Sequence, residues 1–358
     1  MTERHVVTIV GARPQFVKAA VVSRALQVAN VRETLIHSGQ HYDTNVSQVF
    51  FDELGIPMPA LNLGVGSGSH AAQTGAVMEQ LETALVEMPA VDWLIVYGDT
   101  NTTLAAAMVA AKLGIPLAHI EAGLRSFNRK MPEEINRIVT DRLSDALLCP
   151  TQTAVDHLAN EGMTQGVYLS GDVMLDATRY FAALAAGRLT LDSLVPFSTE
   201  GYALATLHRP SNVDTPARLQ AIFDGLGALD QPVVMPVHPR TRSRLDEITV
   251  PGSILLLAPV GYLAMLTLLR NANVVVTDSG GLQKEAYWLE RPCVTVRNET
   301  EWVETLENDW NQLVQPTTDA LVRAIRQGPK TKAPAGVFGK PAGGEGEAST
   351  RIVEILTA

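Results

Sequence analysis

The chain has 358 residues, 46% apolar and 18% charged, with a formal net charge of −10 at pH 7. That length exceeds what one hydrophobic core ordinarily serves, so two domains are expected. The acidic balance argues against nucleic acid or an anionic membrane as the main partner, and any anionic ligand must be held by local cations.

At the N-terminus the apolar run 6–10 stops at Gly11, too short for a secretion signal. The longest apolar run, 255–269, is interrupted by Pro259 and Gly261 and falls short of a membrane span. A soluble protein that is not exported is expected. Cys149 and Cys293 sit in apolar text (ALLCP, PCVTV) without CxxC or Cys/His spacing, so both read as small core residues. No metal site is expected, and a reducing cytoplasm fits.

Short β-rich runs alternate with longer helical patterns, the signature of doubly wound parallel sheets. Strands are expected near 5–10, 33–37, 93–97, 116–120, 146–149 and 167–170, then near 202–207, 232–237, 254–257, 274–277 and 293–296. Between the two sets, 176–201 carries an Ala-rich helix followed by Thr-, Ser- and Pro-containing text. The boundary is placed there, giving domains 1–175 and 176–344. Residues 328–344, rich in Lys, Pro and Gly, are expected to be flexible, with a last helix over 349–356. There is no internal sequence repeat.

Nearly every expected strand ends in a glycine or a functional polar group. The first half offers Gly11 and Arg13, His37, Asp99 and Glu121; the second offers His208 and Arg209, His238, and Asp278-Ser279-Gly280-Gly281. In open α/β sheets, ligands lie beyond the carboxyl ends of the strands. Ordinary polar loops explain one or two such residues but not a recurring series.

In VGARPQFVKAA, Arg13 stands at the turn and Lys18 on the helix that follows. The stretch has neither GxGxxG nor a Walker lysine, which disfavours nicotinamide redox chemistry. The planar fork of Arg13 fits a phosphate, while Lys18 serves the same charge or merely snorkels. In YGDTNTT, Asp99 is either a functional acid or a helix cap, with Thr100 and Asn101 as other caps.

The stretch 119–137, HIEAGLRSFNRKMPEEINR, leaves a buried strand at Glu121 and crosses a Gly- and Arg-bearing loop. It then enters a helix at Pro132, a residue suited to a first turn because it has no N–H to leave unpaired. Glu133 and Arg137, four apart, share a face with Asn136 beside them, and Ile135, Ile138, Val139 and Leu143 are expected to form the apolar side. Arg125 and Arg129 in the loop suit a charged, polyhydroxylated ligand. The plainer alternative is a solvated loop beside capping acids.

In the second half, LHRPSNVD supplies His208 and Arg209 as phosphate candidates. TDSGGLQKEA follows a strand and opens a helix, so Ser279, Gly280 and Gly281 direct N–H groups and a hydroxyl at an anion. Glu285, one turn in, reaches the neighbourhood of a ribose. The second half thus reads as a phosphate and ribose site. The first carries Asp99, Glu121 and Glu133, acids suited to proton transfer at a sugar whose leaving group is a diphosphate.

The motifs GARPQFVK, YGDTNTTLA, HIEAGLRSFNRKMPEEINR, LHRP, PVHPRTR, TDSGGLQKEA and TEWVE run in this order over nearly the whole chain. In that combination the chain resembles the non-hydrolysing UDP-N-acetylglucosamine 2-epimerase family. The resemblance implies a GT-B-like α/β fold of two Rossmann-type doubly wound parallel-sheet domains, with the nucleotide in the interdomain cleft and a C-terminal helix, 345–358, packing back on the first domain. It also implies a homodimer acting on a UDP-sugar, without metal or redox cofactor, in the supply of surface-polysaccharide precursors. By the same resemblance Arg13, His208, Ser279 and Gly280 hold the diphosphate and Glu285 the ribose, with Arg209, His238 and Gly281 also binding. Lys18, Asp99, Glu121, Glu133 and Arg137 surround the sugar, and the catalytic set is Asp99, Glu121, Glu133 and His208.

The reaction implied is conversion of UDP-N-acetylglucosamine to UDP-N-acetylmannosamine. UDP begins to leave C1, the positive ring acidifies the C2 proton, and elimination gives a 2-acetamidoglucal to which UDP re-adds with a proton delivered to the other face. Which carboxylate removes the proton and which returns it stays open. The rivals are a GT-B glycosyltransferase, a hydrolysing epimerase releasing free N-acetylmannosamine, and a catalytically silent UDP-sugar-binding regulator. Two departures matter. Pro210 stands where family members activated by a second substrate molecule carry an arginine, so no substrate activation is expected. The GARPQF, SFNRKMPEEINR and TEWVE variants resemble the branch acting on UDP-2,3-diacetamido-2,3-dideoxyglucuronate, which leaves the substrate open. Asn298 stands where an aspartate is usual, with no account of its effect.

Overall fold

The computed structural model describes residues 4–39, 54–195, 201–328 and 348–358. The chain forms two compact units, Met1–Ala177 with Gly336–Ala358, and Thr178–Ala335.

The first unit is built on a seven-stranded sheet. Its strands are β1 (His5–Val10), β2 (Arg32–His37), β3 (Leu61–Asn62), β4 (Trp93–Tyr97), β5 (Leu117–Ile120), β6 (Ala146–Cys149) and β7 (Val167–Leu169). They lie in the order β3-β2-β1-β4-β5-β6-β7 and every pairing is parallel. The helices are α1 (Arg13–Val28), α2 (His70–Val86), α3 (Asn101–Leu113), α4 (Pro132–Leu143), α5 (Gln152–Asn160) and α6 (Val173–Arg188), the last running across the division between units. β1, HVVTIV, is buried along its whole length, as a parallel strand covered on both faces must be. Val7, Ile9, Ile36, Leu94 and Val96 share one core with Leu81 of α2 and Val109 of α3.

The second unit carries a six-stranded parallel sheet of β8 (Ala203–Thr206), β9 (Val233–Pro236), β10 (Ile254–Leu257), β11 (Val274–Thr277), β12 (Cys293–Thr295) and β13 (Asn311–Leu313). Its order is β10-β9-β8-β11-β12-β13. Here the helices are α7 (Pro210–Val213), α8 (Pro216–Gly227), α9 (Pro239–Arg242), α10 (Tyr262–Asn271), α11 (Gly280–Trp288) and α12 (Thr318–Gln327). The final helix, α13 (Ala348–Thr357), belongs to the first unit. Its first turn is capped by Asp176, whose Oδ2 accepts the Ser349 N–H and hydroxyl at 2.8 Å each, and Arg4 and Trp93 donate to the Leu356 carbonyl at 2.8 and 3.0 Å.

Every strand expected from the sequence is present, several with ends shifted by a residue. β3 and β13 were not expected. Both are short edge strands (LN and NQL) held by hydrogen bonds to a neighbour rather than by an apolar pattern of their own. Residues 196–200 of the expected linker and 329–344 of the expected tail lie outside the described residues. Both cysteines are free and buried. Among the described residues no helix is long and apolar enough to cross a membrane.

Each sheet reverses its strand order once, between β1 and β4 in the first unit and between β8 and β11 in the second. At such a switch point the loops leaving the two central strands diverge and open a crevice at their carboxyl ends. The loops concerned carry Gly11 to Arg13 and Gly98-Asp99 in one unit, and His208-Arg209 and Asp278 to Gly281 in the other.

Candidate active site

In the first unit, α1 starts at Arg13 with Pro14 in its first turn; the Arg13 side chain lies outside the described residues. One turn on, Lys18 is buried and ion-pairs with Glu121, so it does not merely snorkel. Glu121 directly follows β5 with φ +71°, a left-handed conformation that costs a residue bearing a Cβ roughly 1–2 kcal/mol. Strain of this kind persists only where the surroundings over-determine it. Gly98 presses on the same pair. It has φ +63°, and a Cβ built there would lie 3.3 Å from Glu121 Oε2 and 3.4 Å from Lys18 Nζ.

Asp99 does not cap α3. Thr100 does, its hydroxyl accepting the Thr103 N–H at 3.2 Å. The Asp99 carboxylate therefore remains for Arg137, whose Nη2 donates to Oδ2 at 2.5 Å, while Asn136 Nδ2 donates to the Asp99 carbonyl at 2.9 Å. Gln15 ties the two switch-point loops together. Its Oε1 accepts the N–H groups of Gly11 and Ala12 at 2.8 and 2.9 Å, and its Nε2 donates to the Tyr97 carbonyl at 2.8 Å.

The face of α4 differs from expectation. Ile135 is 45% exposed, and the buried side is polar, made of Glu134, Asn136, Arg137, Thr140 and Asp141. Glu133 is exposed and takes no part in these contacts. Its neighbour Glu134 is the buried acid, accepting the Ser126 and Phe127 N–H groups at 2.9 Å each and Arg137 Nη1 at 2.9 Å. Burial raises its pKa, but those donors outweigh burial and hold it below the usual glutamate value. The i,i+4 spacing pointed to Glu133 with Arg137; the i,i+3 pair is the one formed.

Arg125 is not a ligand candidate, because it is 4% exposed and fully engaged. It makes two bonds to Glu161, at 2.7 and 2.9 Å, and one to Asp141 at 2.7 Å. Arg129 is exposed in the loop. His37 serves its own turn, its Nδ1 accepting the Gly39 N–H at 2.7 Å, and its ring stacks on Phe16.

In the second unit, buried Asp278 organises the loop after β8. It accepts the backbone N–H of His208 at 3.0 Å, that of Arg209 at 2.9 Å and the Asn212 side chain at 3.1 Å. It also pairs with His208 Nδ1 at 2.9 Å. Burial pushes Asp278 up, but His208 and these donors together hold it below the usual aspartate value. Nδ1 of the half-buried His208 ring is thus engaged, and the ring of exposed His238 lies 5.4 Å away. Arg209 donates through Nε to the Asp278 carbonyl at 3.0 Å and is the residue before α7, which opens at exposed Pro210.

Ser279 is the N-cap of α11, its hydroxyl accepting the Leu282 N–H at 3.4 Å, while its own N–H goes to Thr277 Oγ1 at 3.0 Å. The Gly280 and Gly281 N–H groups are left with no acceptor within the helix. A Cβ at Gly280 would lie 2.6 Å from Glu301 Oε1, so a larger residue there would push the Glu301 carboxylate aside. Glu285 is buried one turn on and accepts the Tyr262 hydroxyl at 2.9 Å; burial raises its pKa.

Residues 24–357 match the family described as UDP-N-acetylglucosamine 2-epimerase. The UDP-2,3-diacetamido-2,3-dideoxy-D-glucuronate 2-epimerase of Pseudomonas aeruginosa is 45% identical over 98% of this chain and 99% of its own. The crystal structure of Methanocaldococcus jannaschii UDP-GlcNAc 2-epimerase in complex with UDP-GlcNAc and UDP is 40% identical, covering 99% of each chain with a TM-score of 0.89. The chain belongs to the UDP-N-acetylglucosamine 2-epimerase family. Family membership makes it an enzyme, an epimerase, and each of its units is one Rossmann-type half of a GT-B-like fold. TcCGT1 in complex with UDP, 13% identical with a TM-score of 0.65 over 99% of this chain and 94% of that one, shares the fold alone.

Three features of these two sets of residues escaped the sequence. Tyr262 opens a helix after β10 and nothing in its local text marks it as the donor to Glu285. Asp278 was legible as a strand-end acid, but not as the partner of His208, which is 70 positions earlier. His119 and Asp141 pair inside the protein at 2.7 Å, and neither sits at a strand end. Among the described residues no three His, Cys, Asp or Glu side chains converge as metal ligands.

Proposed function

We propose that this epimerase inverts C2 of a UDP-2-acetamido sugar, UDP-N-acetylglucosamine to UDP-N-acetylmannosamine, by elimination and re-addition of UDP. The observation that carries the reading is the pair of carboxylate–cation couples at the first unit's switch point, Glu121 with Lys18 and Asp99 with Arg137. Both acids are held in fixed positions beside cations, as groups that must exchange a proton with a weakly acidic carbon require. Exposed Glu133, close by in sequence on α4, is the third acid of the proposal, and which of the three removes the proton is left to kinetics.

The second unit supplies what a departing diphosphate needs. The Gly280 and Gly281 N–H groups and the α11 dipole stabilise charge that grows as the C1–O bond breaks. His208, oriented by Asp278 through Nδ1, directs its other nitrogen to the same oxyanion. Arg13, Arg209 and His238 complete the phosphate contacts, and Glu285, with Tyr262 behind it, takes the ribose. The relatives that act on or bind UDP-GlcNAc support the nucleotide assignment.

A second substrate, UDP-2,3-diacetamido-2,3-dideoxyglucuronate, is favoured by the 45% identity to the Pseudomonas aeruginosa enzyme. Exposed Arg129 and Lys130 support it as well, being cations available to a sugar carboxylate in an otherwise acidic chain. We further propose a cytoplasmic homodimer without second-site activation, supported by the family resemblance, the free cysteines and Pro210; sedimentation velocity tests the assembly. Mixing the protein with each UDP-sugar alone and following the anomeric NMR signals tests the reading. An isomer still attached to UDP supports it, while free sugar or an unchanged spectrum with both substrates sinks it.

A further inference from the structure

The turn that presents Asp99 has an unusual way of satisfying its backbone. Gly98, with φ +63°, breaks the strand geometry, so the carbonyls here cannot all join the sheet ladder and need other donors. Side chains supply them one by one. The Tyr97 carbonyl receives Gln15 Nε2 at 2.8 Å and the Thr103 hydroxyl at 2.7 Å, and the Asp99 carbonyl receives Asn136 Nδ2 at 2.9 Å. The Gly98 carbonyl between them receives His119 Nε2 at 2.8 Å.

His119 is completely buried in β5, where a histidine is usually neutral with one ring nitrogen satisfied. Here both nitrogens face acceptors. Nδ1 lies 2.7 Å from Asp141 Oδ1, and Nε2 meets a carbonyl, which has no proton to offer. Asp141 has none to offer either. Its other oxygen accepts Arg125 Nη1 at 2.7 Å and the Gly123 N–H at 3.2 Å. Burial pushes its pKa up, yet His119 and Arg125 together bring it below the ordinary aspartate value. Both His119 nitrogens thus lie against acceptors, and the ring is gripped at both ends, by the turn on one side and by Asp141 on the other. A chain of paired groups runs from half-buried Glu161 through buried Arg125 and Asp141 to His119.

We propose that His119 is a positioning residue: its ring, held by Asp141, clamps the Gly98 carbonyl and so fixes Asp99 and the wall against which Glu121 and Lys18 rest. The proposal rests on the reading that Asp99 and Glu121 act on the sugar. The bond reaches the turn from β5, with Asp141 of α4 behind the ring, and α4 also holds Asp99 through Arg137 and Asn136. Two successive residues of the turn are thus tied to α4, Gly98 through His119 and Asp141, and Asp99 directly.

Two substitutions separate positioning from mere scaffolding. In His119→Gln the side-chain amide nitrogen replaces Nε2 and keeps the bond to Gly98; in His119→Asn it replaces Nδ1 and keeps the bond to Asp141. If His119 only holds α4 against β5, the Asn variant is the better enzyme. If it positions the turn, His119→Asn loses about 10²-fold in kcat with KM and UDP Kd unchanged, and His119→Gln recovers about ten-fold of that even where its melting temperature is lower. A Gln variant no faster than the Asn variant overturns the proposal, as does an Asn variant with wild-type kcat. A readout needing no variant uses ¹⁵N-histidine-labelled protein: the His119 Nε2 should carry a proton held in a hydrogen bond, and an Nε2 without a proton overturns the clamp. Absence of epimerisation by the wild type would instead strike the functional reading and leave the nitrogen spectrum standing.

Discussion

Replacing Glu121 separates what this position does for the fold from what it does for the chemistry. Its φ of +71° costs an L-residue roughly 1–2 kcal/mol. Glycine adopts that conformation freely but adds about 0.4–1 kcal/mol of unfolded-chain entropy. On backbone grounds Glu121→Gly is therefore neutral to slightly stabilising. Its carboxylate, however, is the partner of Lys18, and the two side chains are only 6% and 10% exposed. Removing one member of a buried pair costs about 3–5 kcal/mol, because the other charge is left behind.

The single variant should thus lose about 2–5 kcal/mol once the backbone gain is subtracted. Adding Lys18→Met removes the stranded charge, and the double variant should return to within about 1 kcal/mol of wild type. Urea unfolding followed by circular dichroism reads the stabilities, and epimerisation assays read the function; both variants should be inactive. A single variant as stable as wild type would refute the buried-pair accounting. A double variant that still turns over would remove Glu121 from the mechanism.

Asp99→Asn and Glu133→Gln should each slow turnover by about 10²–10⁴-fold while calorimetry shows UDP binding intact; wild-type rates would discredit the assignment. Gly280→Ala places a methyl 2.6 Å from Glu301 Oε1, which is close to Arg297-bound Oε2, and should weaken UDP binding several-fold with little change in the first unit's stability. Glu33 is pushed up by burial, offset only in part by the hydrogen bond from the Thr8 hydroxyl. Since its folded pKa is raised, its contribution to stability is present below about pH 4 and is lost as pH rises through the folded value. Glu33→Gln should therefore raise the melting temperature at about pH 8 and bring no gain at about pH 4; the opposite pattern would show that the carboxylate is stabilised in its ionised form.

The architecture was legible because parallel strands buried on both faces write themselves as short apolar runs, and because switch-point loops gather glycines and polar groups after those runs. Edge strands β3 and β13 carry no such text. Asp99, Glu121, His208 and the glycines of α11 were each visible as a residue following a strand or opening a helix, and Lys18 as a cation early in the helix after β1. What the sequence hid was how partners are allotted. The helix period allowed either Glu133 or Glu134 to meet Arg137, and the outcome turned on the Ser126 and Phe127 N–H groups waiting for Glu134. The same period suggested an apolar face for α4, because isoleucines look like core residues until the other side proves to be saturated with ion pairs. Arg125 looked like a ligand for the same reason that it is not one: it is matched to Asp141 and Glu161, acids 16 and 36 positions away.

The central claim is that ionising the anomeric bond loosens the neighbouring hydrogen, so that it exchanges with solvent through an enzyme acid. The most direct measurement is turnover of each UDP-sugar in D₂O with the isotope at C2 read by NMR. The account predicts one deuterium at C2 of the product, with UDP still attached, and loss of that label in Asp99→Asn. Product that keeps all of its substrate hydrogen at C2 would contradict it.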